Sequence, residues 1–190
     1  LAAILGQSGT KSSVVIGSFI EVTPTAQRNI YVEDLSDGVL NGWTAGGSVV
    51  GTNALDRKLV LSGNTTVRLN AADFTDLADF AFNSSIQFGS GQEKFGYKIR
   101  ESANGKSYYE VLVDGASNEL LISKYVEATN GTSYATLLSK TNLPNAGALG
   151  REYQYNIEAR GDRISVAIGG LKISEVIDNK SINRCFVEAN

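Results

Sequence analysis

The chain has 190 residues, of which 42% are hydrophobic and 19% charged, and a chain of this length can bury a sizeable core without disulfides. Its net charge of −3 and its scattered Lys and Arg residues argue against a surface for nucleic acid or anionic membranes. Histidine is absent and Cys185 is the single cysteine, which excludes an internal disulfide and a thiol–histidine zinc site.

The N-terminal segment opens with a short apolar run, residues 1–5, that stops at Gly6 and cannot span a bilayer. We therefore predict no membrane insertion. Because the chain contains no methionine, we expect it to begin after a removed signal peptide, after a cleaved pro-segment or at a domain boundary. The strand-like run SSVVIGSFIEV and the connection TPTAQ follow. We divide the chain into a strand segment with its linker, residues 1–28, and a domain at residues 29–190.

An acidic turn, YVEDLSDG, comes next and contains Glu33, Asp34 and Asp37. Carboxylate oxygens clustered in a loop are the ligands that Ca²⁺ prefers, although the spacing here is not that of an EF-hand. We name these three residues as candidate Ca²⁺ ligands, with an ordinary acidic turn as the alternative. No motif in the chain requires a cofactor.

The rest of the chain is predicted to form strands. Short runs that alternate apolar and polar residues are separated by Gly, Asn, Asp and Ser clusters, and no stretch of a dozen residues keeps a helical apolar stripe. The clearest run is YQYNIEAR, in which Tyr153, Tyr155 and Ile157 face one way. Further runs are DFAFNSSIQF, KFGYKIRES, SYYEVLVDG, NELLISKYVE, SYATLLSK and ISVAIG. This pattern predicts an all-β protein, an antiparallel sandwich of two sheets.

Three of these runs carry polar residues that the alternation places away from the core. Gln87 lies on the first run, Lys98 and Arg100 on the second, and Tyr108 and Glu110 on the third. If the three strands are adjacent, amide, cationic, phenolic and carboxylate groups share one solvent-facing surface. Such groups suit sugar hydroxyls, so we predict a ligand site there. The alternative is a solvated sheet face with cross-strand ion pairs.

Catalytic arrangements are missing from the sequence. Retaining glucanases with a sandwich fold need Glu-x-Asp-x-Glu on one strand, and the nearest string here, EVLVD, offers only Glu110 and Asp114. The absence of histidine also excludes serine and cysteine triads that use it as the base. We therefore name no catalytic residue and predict that the protein is not an enzyme.

The order of motifs carries a family resemblance. YVEDLSDG is followed by the Gly42-Trp43 pair and then by KLVLSG, DFAFNSSIQF, GYKIR, NGKSYYEVLVD, LLISKY and YNIEARGDRISVAIGG. This order resembles the concanavalin A-like, laminin G-like jelly-roll domains, whose bacterial members include levan-binding modules. The resemblance covers roughly 150 of the 190 residues, and its motifs are structural. It implies an extracellular or cell-surface carbohydrate-binding module whose partner is a glycan or polysaccharide.

A departure from the family pattern leaves a second function open. The family's closing strand has no counterpart before Asn190, whereas the run at residues 13–23 is an additional strand at the other end. This strand can complete its own domain or be donated to another copy of the chain. The alternative function is therefore a self-assembling subunit of a cell-surface filament or layer. Four Asn-x-Ser/Thr sequons agree with an exported protein, at Asn64, Asn83, Asn130 and Asn179.

Overall fold

The computed structural model describes residues 2–6, 13–24, 31–33, 35–39, 41, 43–44, 48–50, 58–62, 66–69, 79–88, 94–143 and 152–179. Within these ranges the chain forms fifteen strands and no helix. The strands are β1 Ala2–Gly6, β2 Ser13–Pro24, β3 Tyr31–Glu33, β4 Trp43–Thr44, β5 Ser48–Val50, β6 Lys58–Ser62, β7 Thr66–Leu69, β8 Phe80–Phe88, β9 Lys94–Ile99, β10 Tyr108–Asp114, β11 Glu119–Glu127, β12 Ser133–Asn142, β13 Glu152–Arg160, β14 Arg163–Ile168 and β15 Leu171–Ile177. The described residues contain no helix long and apolar enough to cross a membrane.

The described strands form two antiparallel sheets. One sheet, called sheet A here, has the order β12-β11-β10-β9-β1-β7-β4. The other, sheet B, has the order β15-β14-β13-β8-β2-β6-β5, and β3 also pairs with β2. The prediction of an all-β sandwich with two antiparallel sheets is confirmed.

The two N-terminal strands lie inside the sheets. Strand β1 pairs with β9 on one side and β7 on the other, so it is an interior strand of sheet A. Strand β2 pairs with β8 on one side and with β6 and β3 on the other, which places it inside sheet B. Both strands therefore pair within their own chain here. Exchange of this segment between copies stays a prediction.

The core lies between the inner faces of the two sheets. Strands β9, β10 and β11 of sheet A bury their inward side chains completely or almost so, and strands β8, β13 and β14 of sheet B do the same from the other side. Tyr97 links the two layers: its ring meets Phe82 edge-on at 4.6 Å, and its hydroxyl hydrogen-bonds Ser84 at 2.5 Å. Because a buried hydroxyl without a partner is costly, this pair fixes how the layers meet.

The strands that carry the candidate site approach each other closely. Gly96 in β9 lies opposite Leu112 in β10, and a Cβ atom at Gly96 would come within 2.8 Å of the Val111 carbonyl oxygen. Only glycine fits that position without displacing backbone. The period-two alternation then decides which residues of these strands face away from the core.

Candidate functional site

The outward faces of β9, β10 and β11 bring four polar side chains together. The neighbours of these residues in sequence, among them Ile99 and Tyr109, are fully buried, so alternation turns Lys98, Tyr108 and Glu110 outward. Lys98 lies opposite Glu110 in the β9–β10 register, and Tyr108 lies opposite Tyr125 in the β10–β11 register. We call Lys98, Tyr108, Glu110 and Tyr125 the outer cluster.

Aromatic and cationic groups are stacked within the outer cluster. The rings of Tyr108 and Tyr125 are 4.5 Å apart with an interplanar angle of 17°. The Lys98 ammonium lies 4.1 Å from the centroid of the Tyr108 ring, a distance at which the electron-rich ring face attracts a cation. Tyr108 is therefore held between a neighbouring ring and a charge. Lys98 makes no ion pair within the described part of the chain.

The carboxylate of Glu110 completes the cluster. The Tyr125 hydroxyl donates a hydrogen bond to Glu110 Oε2 at 3.1 Å. Partial burial, followed by the nearby Glu110 charge, raises the pKa of Tyr125 to about 12. Partial burial raises the pKa of Tyr108 as well, and the charges of Glu110 and Glu101 add to the effect. Both phenols therefore keep their protons at neutral pH and can donate.

The side chains of the outer cluster can act as both hydrogen-bond donors and hydrogen-bond acceptors. The cluster combines an acceptor carboxylate, a donor ammonium and two phenols that can donate or accept. A sugar offers hydroxyls that donate and accept within a few ångströms of each other, and such a cluster can satisfy several of them at once. The groups are held by contacts with one another, which lowers the entropy lost when a ligand orders them.

Tyr125 was not among the predicted site residues. The sequence feature that could have predicted its position is the hairpin that joins β10 and β11, where Asp114 pairs with Glu119. Once that short connection is recognised, the antiparallel register alone pairs Tyr108 with Tyr125, because each step back along β10 matches one step forward along β11.

Arg100 does not belong to the predicted surface. Its side chain is 6% exposed and binds Asp79 Oδ1 at 3.1 Å, and the same oxygen accepts the Gly161 backbone N–H at 2.9 Å. The prediction that Arg100 shares a solvent-facing surface with Glu110 is wrong. Alternation ends at Ile99, and Arg100 adopts a positive φ of 52°, which turns its side chain out of the strand's period-two pattern.

Gln87 is also separated from the outer cluster. It lies in β8 of sheet B, where it pairs with Glu152 of β13 and Val15 of β2. A surface shared with Gln87 required β8 to lie beside β9, but β1 lies beside β9 in sheet A and β2 lies beside β8 in sheet B. The structure therefore brings together Lys98, Tyr108 and Glu110, and leaves Gln87 on the other layer.

The candidate calcium ligands are described in part. Asp34 and the side chain of Glu33 lie outside the described residues. The Asp37 carboxylate accepts hydrogen bonds from the Val39 backbone N–H at 2.9 Å and from the Asn41 side chain at 2.8 Å. These bonds close the turn, so the Asp37 carboxylate stabilises the local backbone conformation. Calcium binding stays a prediction.

A comparison with solved structures identifies a protein with a similar fold, whereas the sequence comparisons find no match. No family model and no curated protein sequence matches the chain. Among solved structures, the chain is similar to the carbohydrate-binding module CBM66 from Bacillus subtilis, with 21% sequence identity and a TM-score of 0.52. The match covers 72% of this chain and 80% of the module. The likeness shows a shared β-sandwich fold.

Proposed function

We propose that this chain is a non-catalytic, extracellular carbohydrate-binding module whose ligand contacts the outer cluster. The observation that carries the proposal is the arrangement of Lys98, Tyr108, Glu110 and Tyr125 as mutually supported donors and acceptors on an outward sheet face. Similarity to a solved carbohydrate-binding module supports it, because that protein uses the same sandwich fold. The jelly-roll class of the concanavalin A-like domains is part of the proposal.

A sugar ring does not have to stack on the Tyr108 ring for binding at this site. One face of its ring meets Tyr125 and the Lys98 ammonium lies over the ring as well. We therefore assign recognition to the Glu110 carboxylate, the Lys98 ammonium and the tyrosine hydroxyls. Hydrogen bonds to charged groups contribute about 1.5–3 kcal/mol each, so loss of one should weaken binding roughly tenfold or more.

The test is affinity electrophoresis through gels that contain levan, a mixed-linkage β-glucan, xylan or galactomannan, followed by calorimetry with the polysaccharide that retards the protein. We expect Glu110→Gln and Lys98→Gln to reduce affinity about tenfold or more. Glu152→Gln is the matched control, because Glu152 is an exposed carboxylate of β13 on the other sheet. Absence of retardation by all four polysaccharides contradicts the proposal, and so does an equal loss in the Glu152 variant.

A further inference from the structure

The structure distinguishes between the sequons. Of the four, two have all three residues in the described part of the chain, those beginning at Asn83 and Asn130. Both are Asn-x-Ser/Thr triplets, so the sequence alone ranks them equally as acceptors of N-linked glycan. Their surroundings in the folded chain differ in exposure and in hydrogen bonding.

Asn83 lies in the middle of β8 and is already engaged. Its Oδ1 accepts a hydrogen bond from Asn156 Nδ2 on the neighbouring strand at 2.6 Å. The other two residues of the triplet, Ser84 and Ser85, are 0% and 3% exposed, and the Ser84 hydroxyl is bonded to Tyr97 between the sheets. The Asn83 side chain is therefore bonded to a neighbouring strand of sheet B, and the other two residues of its triplet are buried.

Asn130 lies in the turn that connects β11 and β12, and Asn130, Gly131 and Thr132 are all exposed. The turn is closed by hydrogen bonds from the Ala128 N–H to the Thr132 carbonyl and from the Gly131 N–H to the Ala128 carbonyl, at 2.7 and 2.9 Å. Gly131 has a φ of 79°, which glycine adopts without strain. The acceptor triplet is therefore presented in a defined conformation.

The side chain of Asn130 is hydrogen-bonded to Thr132, the third residue of its triplet. Asn130 Oδ1 accepts hydrogen bonds from the Thr132 backbone N–H at 3.1 Å and from Thr132 Oγ1 at 2.7 Å. Both bonds fix the orientation of the Asn130 side chain. Asn130 Nδ2 makes no hydrogen bond among the described residues, so the nucleophilic atom is available.

We propose that Asn130 is an acceptor site for N-linked glycosylation and that Asn83 is not. In the reaction, Nδ2 of Asn130 attacks C1 of the first sugar of a polyprenyl-pyrophosphate-linked oligosaccharide. The C1–O bond breaks, the lipid pyrophosphate leaves with the electron pair, and the amide nitrogen gives one proton to the surrounding water. No oxidation or reduction occurs. The modified residue is a surface position in a turn, where a bulky polar group is tolerated.

The test is secretion of the full chain from a eukaryotic host behind a cleavable signal peptide, followed by glycopeptide mapping of the purified protein. We expect glycan on the Asn130 peptide, released by an N-glycosidase that converts the acceptor to Asp, and unmodified Asn83. Mapping of the unaltered chain does not depend on whether any variant folds.

Two substitutions separate the role of the hydroxyl from that of the turn. Thr132→Ser keeps the donor to Asn130 Oδ1 and should retain occupancy, whereas the isosteric Thr132→Val removes that donor and should abolish it. A secreted, folded chain that is unmodified at Asn130, or one that carries glycan at Asn83, overturns the proposal. Retained occupancy in Thr132→Val overturns the part assigned to the hydroxyl.

Discussion

Lys98 and Arg100 are two cations, two residues apart at the end of β9, that lie in different surroundings. One is on the outward face and the other has a buried side chain that forms an ion pair. Lys98 lies over the Tyr108 ring on the outward face. The Arg100 side chain is buried and binds Asp79, which also holds the Gly161 backbone. Arg100 therefore joins the start of β8, the end of β9 and the β13–β14 turn.

We predict that Arg100→Ala destabilises the fold and leaves glycan affinity within about twofold. The partner Asp79 is 45% exposed, so water screens part of the interaction, and we expect a loss of about 1–3 kcal/mol in the free energy of unfolding. Urea unfolding and calorimetric binding below the transition check this. Unchanged stability together with lost glycan binding would contradict this prediction and indicate that Arg100 contacts the ligand.

The residue that follows strand β15 connects sheet B to sheet A through hydrogen bonds. Asp178, which follows β15, accepts hydrogen bonds through Oδ2 from Lys124 Nζ of β11 and from the Tyr109 hydroxyl of β10, both at 2.6 Å. The Lys124 and Asp178 side chains are 12% and 13% exposed. A charge pair so shielded from water connects an edge strand of one layer to the interior of the other.

Asp178→Ala should lower the free energy of unfolding by about 3–5 kcal/mol, because it leaves the shielded Lys124 ammonium without this carboxylate. Glu152→Ala, at an exposed position of β13, is the control and should change stability by less than about 0.5 kcal/mol. Chemical denaturation of both variants gives the comparison. Equal changes in the free energy of unfolding in the two variants would show that the Lys124–Asp178 pair does not stabilise the fold.

The N-terminal strands β1 and β2 are each flanked on both sides by other strands. Deleting residues 1–24 should therefore expose unpaired backbone groups along β8 and β9, and such edges aggregate. We expect an insoluble or aggregating chain, measured by light scattering beside the full chain. A truncated chain that stays soluble, monomeric and equally heat-stable would contradict this. Concentration-dependent growth of the full chain, lost on truncation, would favour strand donation between copies.

The same elements show what sequence could and could not predict. Period-two alternation identified strands β8 to β14 and the shared face of Lys98, Tyr108 and Glu110, because alternation is a local property of extended backbone. It could not predict that β1 and β2 enter between other strands, since pairing between residues distant in sequence leaves no local pattern. It also could not predict the positive φ at Arg100, which arises where the strand ends.

Buried phenols in both sheets make the stability of the fold depend on pH in the alkaline range. Burial raises the pKa of Tyr97 well above its ordinary value, partly offset by the Ser84 hydrogen bond. Burial also raises the pKa of Tyr155, with a smaller effect of Tyr153. Unfolded tyrosines ionise near pH 10, so above that pH the unfolded chain binds fewer protons than the native one. Stability is then lost as pH rises.

We therefore predict that the melting temperature falls steadily from about pH 10 upward, in the range where free tyrosine ionises. Thermal unfolding between pH 8 and pH 11.5 measures the slope, and absorbance at 295 nm follows ionisation of the phenols. Tyr155→Phe removes one raised pKa and should make the fall shallower. A melting temperature that is independent of pH up to 11.5, or an unchanged slope in Tyr155→Phe, would contradict this explanation.

Amide-shift mapping by NMR can locate the bound glycan, which we expect on the outward face of β9–β11. The labelled protein is titrated with oligosaccharide fragments of levan, mixed-linkage β-glucan, xylan and galactomannan. With a fragment that binds, we expect the largest changes at Lys98, Tyr108, Glu110 and Tyr125, and small changes at Gln87 and Glu152 on sheet B. Changes centred on sheet B, or no change with any of the four fragments, would contradict glycan binding at this face.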